Sequence, residues 1–278
     1  PFIPGGGGQL QRNLRLAMDT GRFADRRALL AAFDVTRRDA EARYEQFDRE
    51  QRQACDVLLS GVVADALDLS REDPRTLARY DTAPLAAPHG WASAARGKRG
   101  YYTGHARSIG KAMLLARRLV EAGCGFVTVH TGYEGVWDLH ADGENLNVRD
   151  GMPALGPPFD HALAAFIDDV EARGLSDRVL LVACGEMGRT PRLNRTGGRD
   201  HWAKLSPLLL YGGKSARGRV VGRSTADGGE PDADGCGPAN LVSTILHAAF
   251  DVGQLRLRPE FGALSRLAET PPVPGSIG

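Results

Sequence analysis

The stretch that most constrains this chain is Val179–Trp202, VLLVACGEMGRTPRLNRTGGRDHW. It begins as an apolar run, Val179 to Ala183, and breaks at Cys184-Gly185. It then presents Glu186, Arg189, Arg192, Arg195, Arg199, Asp200 and His201. A short apolar run bounded by glycine reads as a buried strand, and a polar loop at the carboxyl end of such a strand is where α/β proteins place their chemistry. A second cluster, Trp137-Asp138-Leu139-His140, follows another strand-like run, Phe126–His130. Together the two clusters supply Asp138, His140, Glu186 and His201, a metal-ligand set in kind.

The rest of the chain is helical in pattern around these runs. Apolar residues at helical spacing predict two helices near 22–48 and 50–66. Asp68–Pro74 reads as a helix stop and a new start, with proline early in the next helix. Thr82–Arg99, rich in Pro, Gly and Ala, reads as a loop, and its lone His89 as a surface histidine. Helices follow over His105–Ala122, closed by Gly123, and over Leu155–Arg173, closed by Gly174. Leu205–Tyr211 is a third strand candidate, Arg219–Gly222 a short fourth, and Pro238–Phe250 a further helix. Residues 1–100 thus read as a helical hairpin and loop region packed on the core, and residues 101–278 as the part that carries the strands.

Composition narrows the function classes. With 278 residues the chain is long enough for a sizeable core, and a formal net charge of +1 makes no electrostatic case for nucleic acid. No run of eighteen apolar residues occurs, so no transmembrane segment is expected. The four cysteines, Cys55, Cys124, Cys184 and Cys236, include no CxxC pair, which argues against a zinc ribbon. GxSxG, P-loop, GxGxxG and HExxH patterns are absent too.

The candidate residues carry two readings each. In an extended segment Asp138 and His140 point to the same side and can face one ion; the same residues can also fix a loop. Glu186, between Gly185 and Gly188, fits a metal ligand, a general base or the cap of a turn. His201 can ligate through one ring nitrogen while a carboxylate orients the other; the plain alternative is that Asp200-His201 braces the loop. Four arginines on that loop suit a phosphate or sulfate group, although a solvated face explains about two of them.

In order, the segments LLARRLVEAGCGFVTV, VWDLHADGEN, RGLSDRVLLVACGEMGRTPRLNRTGGRDHW, LLLYGGKSARGRVVGRSTADGGE and NLVSTILHAAF resemble the bacterial domain-of-unknown-function family 1501, grouped with sulfatases in the alkaline-phosphatase-like superfamily. The resemblance covers nearly the whole chain. It implies an α/β fold, a three-layer α/β/α sandwich with a mostly parallel sheet. It also implies hydrolysis of phosphate or sulfate esters of small molecules or glycans at divalent metals. Carried over, Asp138, His140, Glu186 and His201 become metal ligands, Arg189 an oxyanion-binding group, and Asp200 a catalytic neighbour. Two His among the ligands favour Zn or Mn over Ca or Mg. Two departures stand out: the Asp–His spacing is tight, and Met187 occupies the place of an expected His beside Glu186. The superfamily's early strand and nucleophile have no counterpart after Pro1-Phe2-Ile3-Pro4, so the expectation is a chain holding only the later ligands and inactive alone. The alternative is a non-catalytic binding or scaffolding module of the same fold. An exported or periplasmic location is likewise implied by the resemblance alone.

Overall fold

The computed structural model describes residues 17–34, 60–86, 99–130, 135–215, 217–233 and 235–276. Its described elements are α1 (Thr20–Asp34), α2 (Val62–Leu67), α3 (Pro74–Arg79), α4 (Arg99–Glu121), α5 (Val148–Ala172), β1 (Leu180–Cys184), β2 (Gly188–Arg189), β3 (His201–Trp202), β4 (Leu208–Gly212), β5 (Arg223–Ser224), β6 (Pro231–Ala233), α6 (Pro238–Ala249), α7 (Val252–Arg256) and α8 (Gly262–Leu267). Short 3₁₀ turns lie at Leu69–Arg71, Ala83–Leu85 and Pro259–Phe261. The chain divides into two units. One comprises the described residues up to Arg79 with Leu114–Val129, the other Tyr80–Met113 with the described residues from His130 onward.

The sandwich expectation is overturned. About half of the described residues are helical, and the strands form three separate antiparallel pairs, β1–β4, β2–β3 and β5–β6. The reason lies in the connection between the two apolar runs. Parallel strands need a crossover of a dozen or more residues, usually a helix. The described residues 185–207 hold no helix; they fold into the β2–β3 pair and return the chain antiparallel to β1. Leu180 then pairs with Gly212 and Cys184 with Leu208. Leu208 and Leu209 remain 38% and 41% exposed, unlike strands covered by helices on both faces. Strand β4 starts at Leu208 rather than Leu205, directly after Pro207, which has no N–H to give a ladder. The runs 126–130 and 219–222 form no strand, and Phe126 and Val220 are exposed.

The helices follow the sequence pattern more closely. In α4 the positions Tyr102, His105, Ala106, Ile109 and Met113 are buried on one stripe. Helix α5 starts earlier than expected because Asn147 caps it: the Asp150 N–H donates to Asn147 Oδ1 at 2.8 Å, and Asn147 Nδ2 donates back to Asp150 Oδ2 at 3.0 Å. Both helices close through Gly123 and Gly174, the following N–H groups of Cys124 and Leu175 reaching back to Leu119 O and Val170 O at 2.9 Å. Pro74 opens α3. The predicted helices over 22–48 and 50–66 fall partly outside the described residues, as do His89, Cys55 and Gly5–Gly8; what is described of them is α1 and α2. No described helix is long and apolar enough to cross a membrane.

The first unit is tied by a buried ion network. Glu72 Oε2 accepts from Arg117 Nη2 and Arg118 Nη1, both at 2.7 Å, and Arg118 also donates to Ala66 O at 2.7 Å. Burial pushes the Glu72 carboxyl up, but hydrogen bonds from Arg118 and Arg117 outweigh it and hold the group below its usual range. In the second unit, Tyr102, Val136, Leu139, Leu146, Ala154 and Leu155 form a core cluster, with Trp137 and Val148 against it. This cluster is the floor of the site described next.

Candidate metal centre

Alternation along an extended backbone builds the first half of the site. Leu139 is 5% exposed and anchored in the core cluster, so its neighbours Asp138 and His140 both face outward. Below them Trp137 stands edge-on to His105 and to Phe159, with ring centroids 5.5 Å apart in each pair. His105 is fully buried, and this burial lowers its pKa; the carbonyl of Leu155, 3.4 Å from Nε2, opposes the shift. Its Nδ1 has no hydrogen-bond partner among the described residues. Tyr102 is held protonated by burial, with the Asp142 and Asp138 charges adding to that effect.

The β2–β3 pair builds the other half. Arg189 lies opposite His201 in the register, and cross-strand partners share a face. Both side chains therefore meet Asp138. Arg189 Nη2 donates to Asp138 Oδ1 at 2.5 Å, and His201 Nε2 lies 3.4 Å from the same oxygen. His140 Nε2 lies 3.6 Å from Asp138 Oδ1 and 3.1 Å from His201 Nε2. The two halves are held by close backbone contact. A Cβ on Gly198 would overlap the His140 carbonyl group, so only glycine lets the two halves approach there; within the second half, a Cβ on Gly188 would overlap the Leu205 carbonyl.

Three ligand atoms thus form a triangle with edges of 3.1, 3.4 and 3.6 Å. A tetrahedral ion with bonds of about 2.0–2.1 Å needs ligand atoms about 3.3 Å apart. Asp138, His140 and His201 can therefore hold a metal ion with little rearrangement. The tautomer of His140 is also set. Its Nδ1 lies 2.7 Å from the Arg199 carbonyl, an acceptor only, so Nδ1 carries the proton and Nε2 presents its lone pair to the triangle.

The remaining sequence candidates fall around this triangle. Glu186 is not one of its corners; its carboxylate is 70% exposed and 3.8 Å from Arg189 Nη2. Asp200 is exposed, with Oδ1 3.9 Å from His140 Nδ1 and accepting from Asn194 Nδ2 at 3.1 Å. Arg192 and Arg195 are exposed, whereas Arg189 and Arg199 are half-buried. The Nε atoms of Arg189 and Arg199 are buried without a hydrogen-bond partner among the described residues. Cys124 and Cys184 are free thiols.

Asn194 is the residue the sequence reading missed. Its Nδ2 donates to His140 O at 2.8 Å as well as to Asp200, and its Oδ1 accepts from Gly198 N at 2.8 Å and from Thr196 Oγ1 at 2.9 Å. One amide therefore closes the Arg-rich loop and ties it to the ligand segment. The signal in the sequence is Asn194-Arg195-Thr196-Gly197-Gly198, an asparagine that folds back onto a glycine pair.

Fold and site together define a protein with about half of its described residues in helices, whose polar centre is a two-histidine, one-carboxylate cluster set between an extended segment and a small strand pair. The chain belongs to the DUF1501 family, proteins of unknown function, whose match spans residues 8–260. No curated protein and no solved structure matches it.

Proposed function

We propose that Asp138, His140 and His201 hold one divalent cation, Zn or Mn in preference to Ca or Mg, and that the site serves hydrolysis of sulfate or phosphate esters of small molecules or glycans. The observation that carries this reading is the triangle of 3.1, 3.4 and 3.6 Å between ligand atoms. Two imidazoles and one carboxylate match the nitrogen-and-oxygen preference of Zn and Mn, whereas Ca and Mg favour all-oxygen sets. When bound, the ion supplies Lewis acidity toward an ester oxygen. The protein's own groups do the rest. The Arg199 carbonyl keeps the His140 proton on Nδ1, and Arg189 orients Asp138. Arg189 also offers a half-buried guanidinium for the anionic part of an ester. The choice of ester class rests on the resemblance of the sequence segments to family 1501 and on the grouping of that family with sulfatases.

A second reading has its own observation. His140 Nε2 and His201 Nε2 are at hydrogen-bond distance, and Asp138 is already paired with Arg189, so the cluster can satisfy itself and serve a non-catalytic binding or scaffolding module. The deciding experiment supplies Zn or Mn to the whole protein and follows nitrophenol release from p-nitrophenyl sulfate and p-nitrophenyl phosphate. Metal-dependent release that His201→Ala abolishes supports the hydrolase. Absence of release with every metal, in protein that does bind the ion, selects the binding module.

A further inference from the structure

Asp138 Oδ1, the oxygen that completes the ligand triangle, is also the atom that Arg189 Nη2 holds at 2.5 Å. A guanidinium and a divalent cation on one carboxylate oxygen share its charge and repel each other. Both side chains are mostly buried, 22% and 29% exposed, so solvent screens that repulsion only in part. The other carboxylate near Arg189, Glu186, is 3.8 Å away and 70% exposed, a weak counterweight. Meanwhile the buried Arg189 Nε–H has no acceptor among the described residues. Arg189 Nη1 donates to Gly188 O at 3.2 Å. A tetrahedral oxyanion supplies an acceptor for the Nε–H, further acceptors in a geometry that suits the planar fork, and negative charge.

We propose that Arg189 competes with the bound cation for Asp138 and is drawn off by a tetrahedral oxyanion, so that metal and oxyanion bind this site cooperatively. The inference rests on the metal reading of the triangle. Arg189 then does two opposed things: it weakens metal binding while the site is without anion, and it links metal to anion once the anion arrives. The coupling is reciprocal, so the anion tightens the metal by the same factor as the metal tightens the anion.

Calorimetric titration of zinc into metal-free wild type, Arg189→Gln and Arg189→Lys tests this, in sodium chloride and in sodium sulfate of equal ionic strength. In chloride, Arg189→Gln binds zinc about tenfold more tightly than wild type, the scale of one partly screened like-charge contact removed. Sulfate tightens zinc on wild type several-fold and leaves Arg189→Gln unchanged. Arg189→Lys keeps the wild-type affinity in chloride but loses most of the sulfate response, because it retains the charge and not the fork. Equal zinc affinity in wild type and Arg189→Gln, or no sulfate response in wild type, overturns the proposal and leaves the metal site standing. Zinc binding by none of the three proteins removes the metal site and this proposal together. Should Arg189→Gln fail to fold, the sulfate responses of wild type and Arg189→Lys decide: an equal response in the two overturns it.

Discussion

Replacing Gly198 by alanine should damage the candidate metal centre without substituting Asp138, His140 or His201. A Cβ at this position would overlap the His140 carbonyl and stand 2.7 Å from His140 Cα, where carbon atoms in contact keep about 3.5–4.0 Å. The segments must therefore part by about 1 Å. That separation strains four hydrogen bonds between them or within the loop: Arg199 N–H to Leu139 O at 2.9 Å, Asn194 Nδ2 to His140 O at 2.8 Å, His140 Nδ1 to Arg199 O at 2.7 Å, and Gly198 N–H to Asn194 Oδ1 at 2.8 Å. Overpacking of this kind costs about 1–3 kcal/mol, and each weakened bond adds up to about 1 kcal/mol, so a loss of about 2–4 kcal/mol is expected. For a chain of this size that lowers the melting temperature by roughly 5–15 °C. Zinc affinity should fall by about ten- to a hundredfold, the usual consequence of disturbing groups that orient a ligand. Differential scanning calorimetry and equilibrium dialysis read the two effects. Gly156→Ala is the control: it lies within α5, and the nearest atom to its new Cβ is Met152 Cε at 3.8 Å. If Gly198→Ala melts and binds zinc as wild type does, close approach of these segments does not shape the site.

Three other perturbations have defined outcomes. Asn194→Asp keeps the acceptor toward Gly198 but replaces the donor to His140 O and Asp200 Oδ1 by a second carboxylate; zinc affinity should drop about tenfold or more, measured by dialysis, with the helical circular dichroism unchanged. His105, neutral and fully buried with a pKa below its usual 6.5, contributes stability that is present above pH 6.5 and lost as pH falls from there toward its folded value. Denaturant titrations between pH 7 and pH 5 should show a slope of up to about 1.4 kcal/mol per pH unit from this group, and His105→Phe should flatten it. Glu72→Gln removes the charge that Arg117 and Arg118 share, and urea unfolding should report a loss on the order of 3 kcal/mol. Because the Glu72 carboxyl titrates below its ordinary 4.5, its stabilisation is present above that pH and lost as pH falls through the lower folded value.

Much of the local structure was legible in the sequence. Helices α4, α5 and α6 announce themselves through apolar stripes, and α4 and α5 also through glycine stops, because a helix is determined by residues three and four apart. Asp138 and His140 were legible as a pair because one buried leucine between them fixes both directions. Partnership of strands was not legible. Val179–Ala183 and Leu205–Tyr211 read as sheet strands, but their antiparallel pairing depends on what the residues between them do, and those residues form β2–β3 rather than a crossover helix. Glu186 shows the same limit. Its place after an apolar run made it a candidate ligand, yet β2 turns Arg189 rather than Glu186 toward Asp138. Asn194 and Gly198 were hidden because their role lies in contacts with His140, more than fifty residues away in sequence.

The central claim is that Asp138, His140 and His201 bind one metal ion together. The most direct measurement is metal content by mass spectrometry after zinc loading and desalting, on wild type and on Asp138→Ala, His140→Ala and His201→Ala. One zinc per wild-type chain, falling well below that in each of the three variants, is the expected result. Zinc that is absent from wild type, or retained undiminished by Asp138→Ala and His201→Ala, would contradict it.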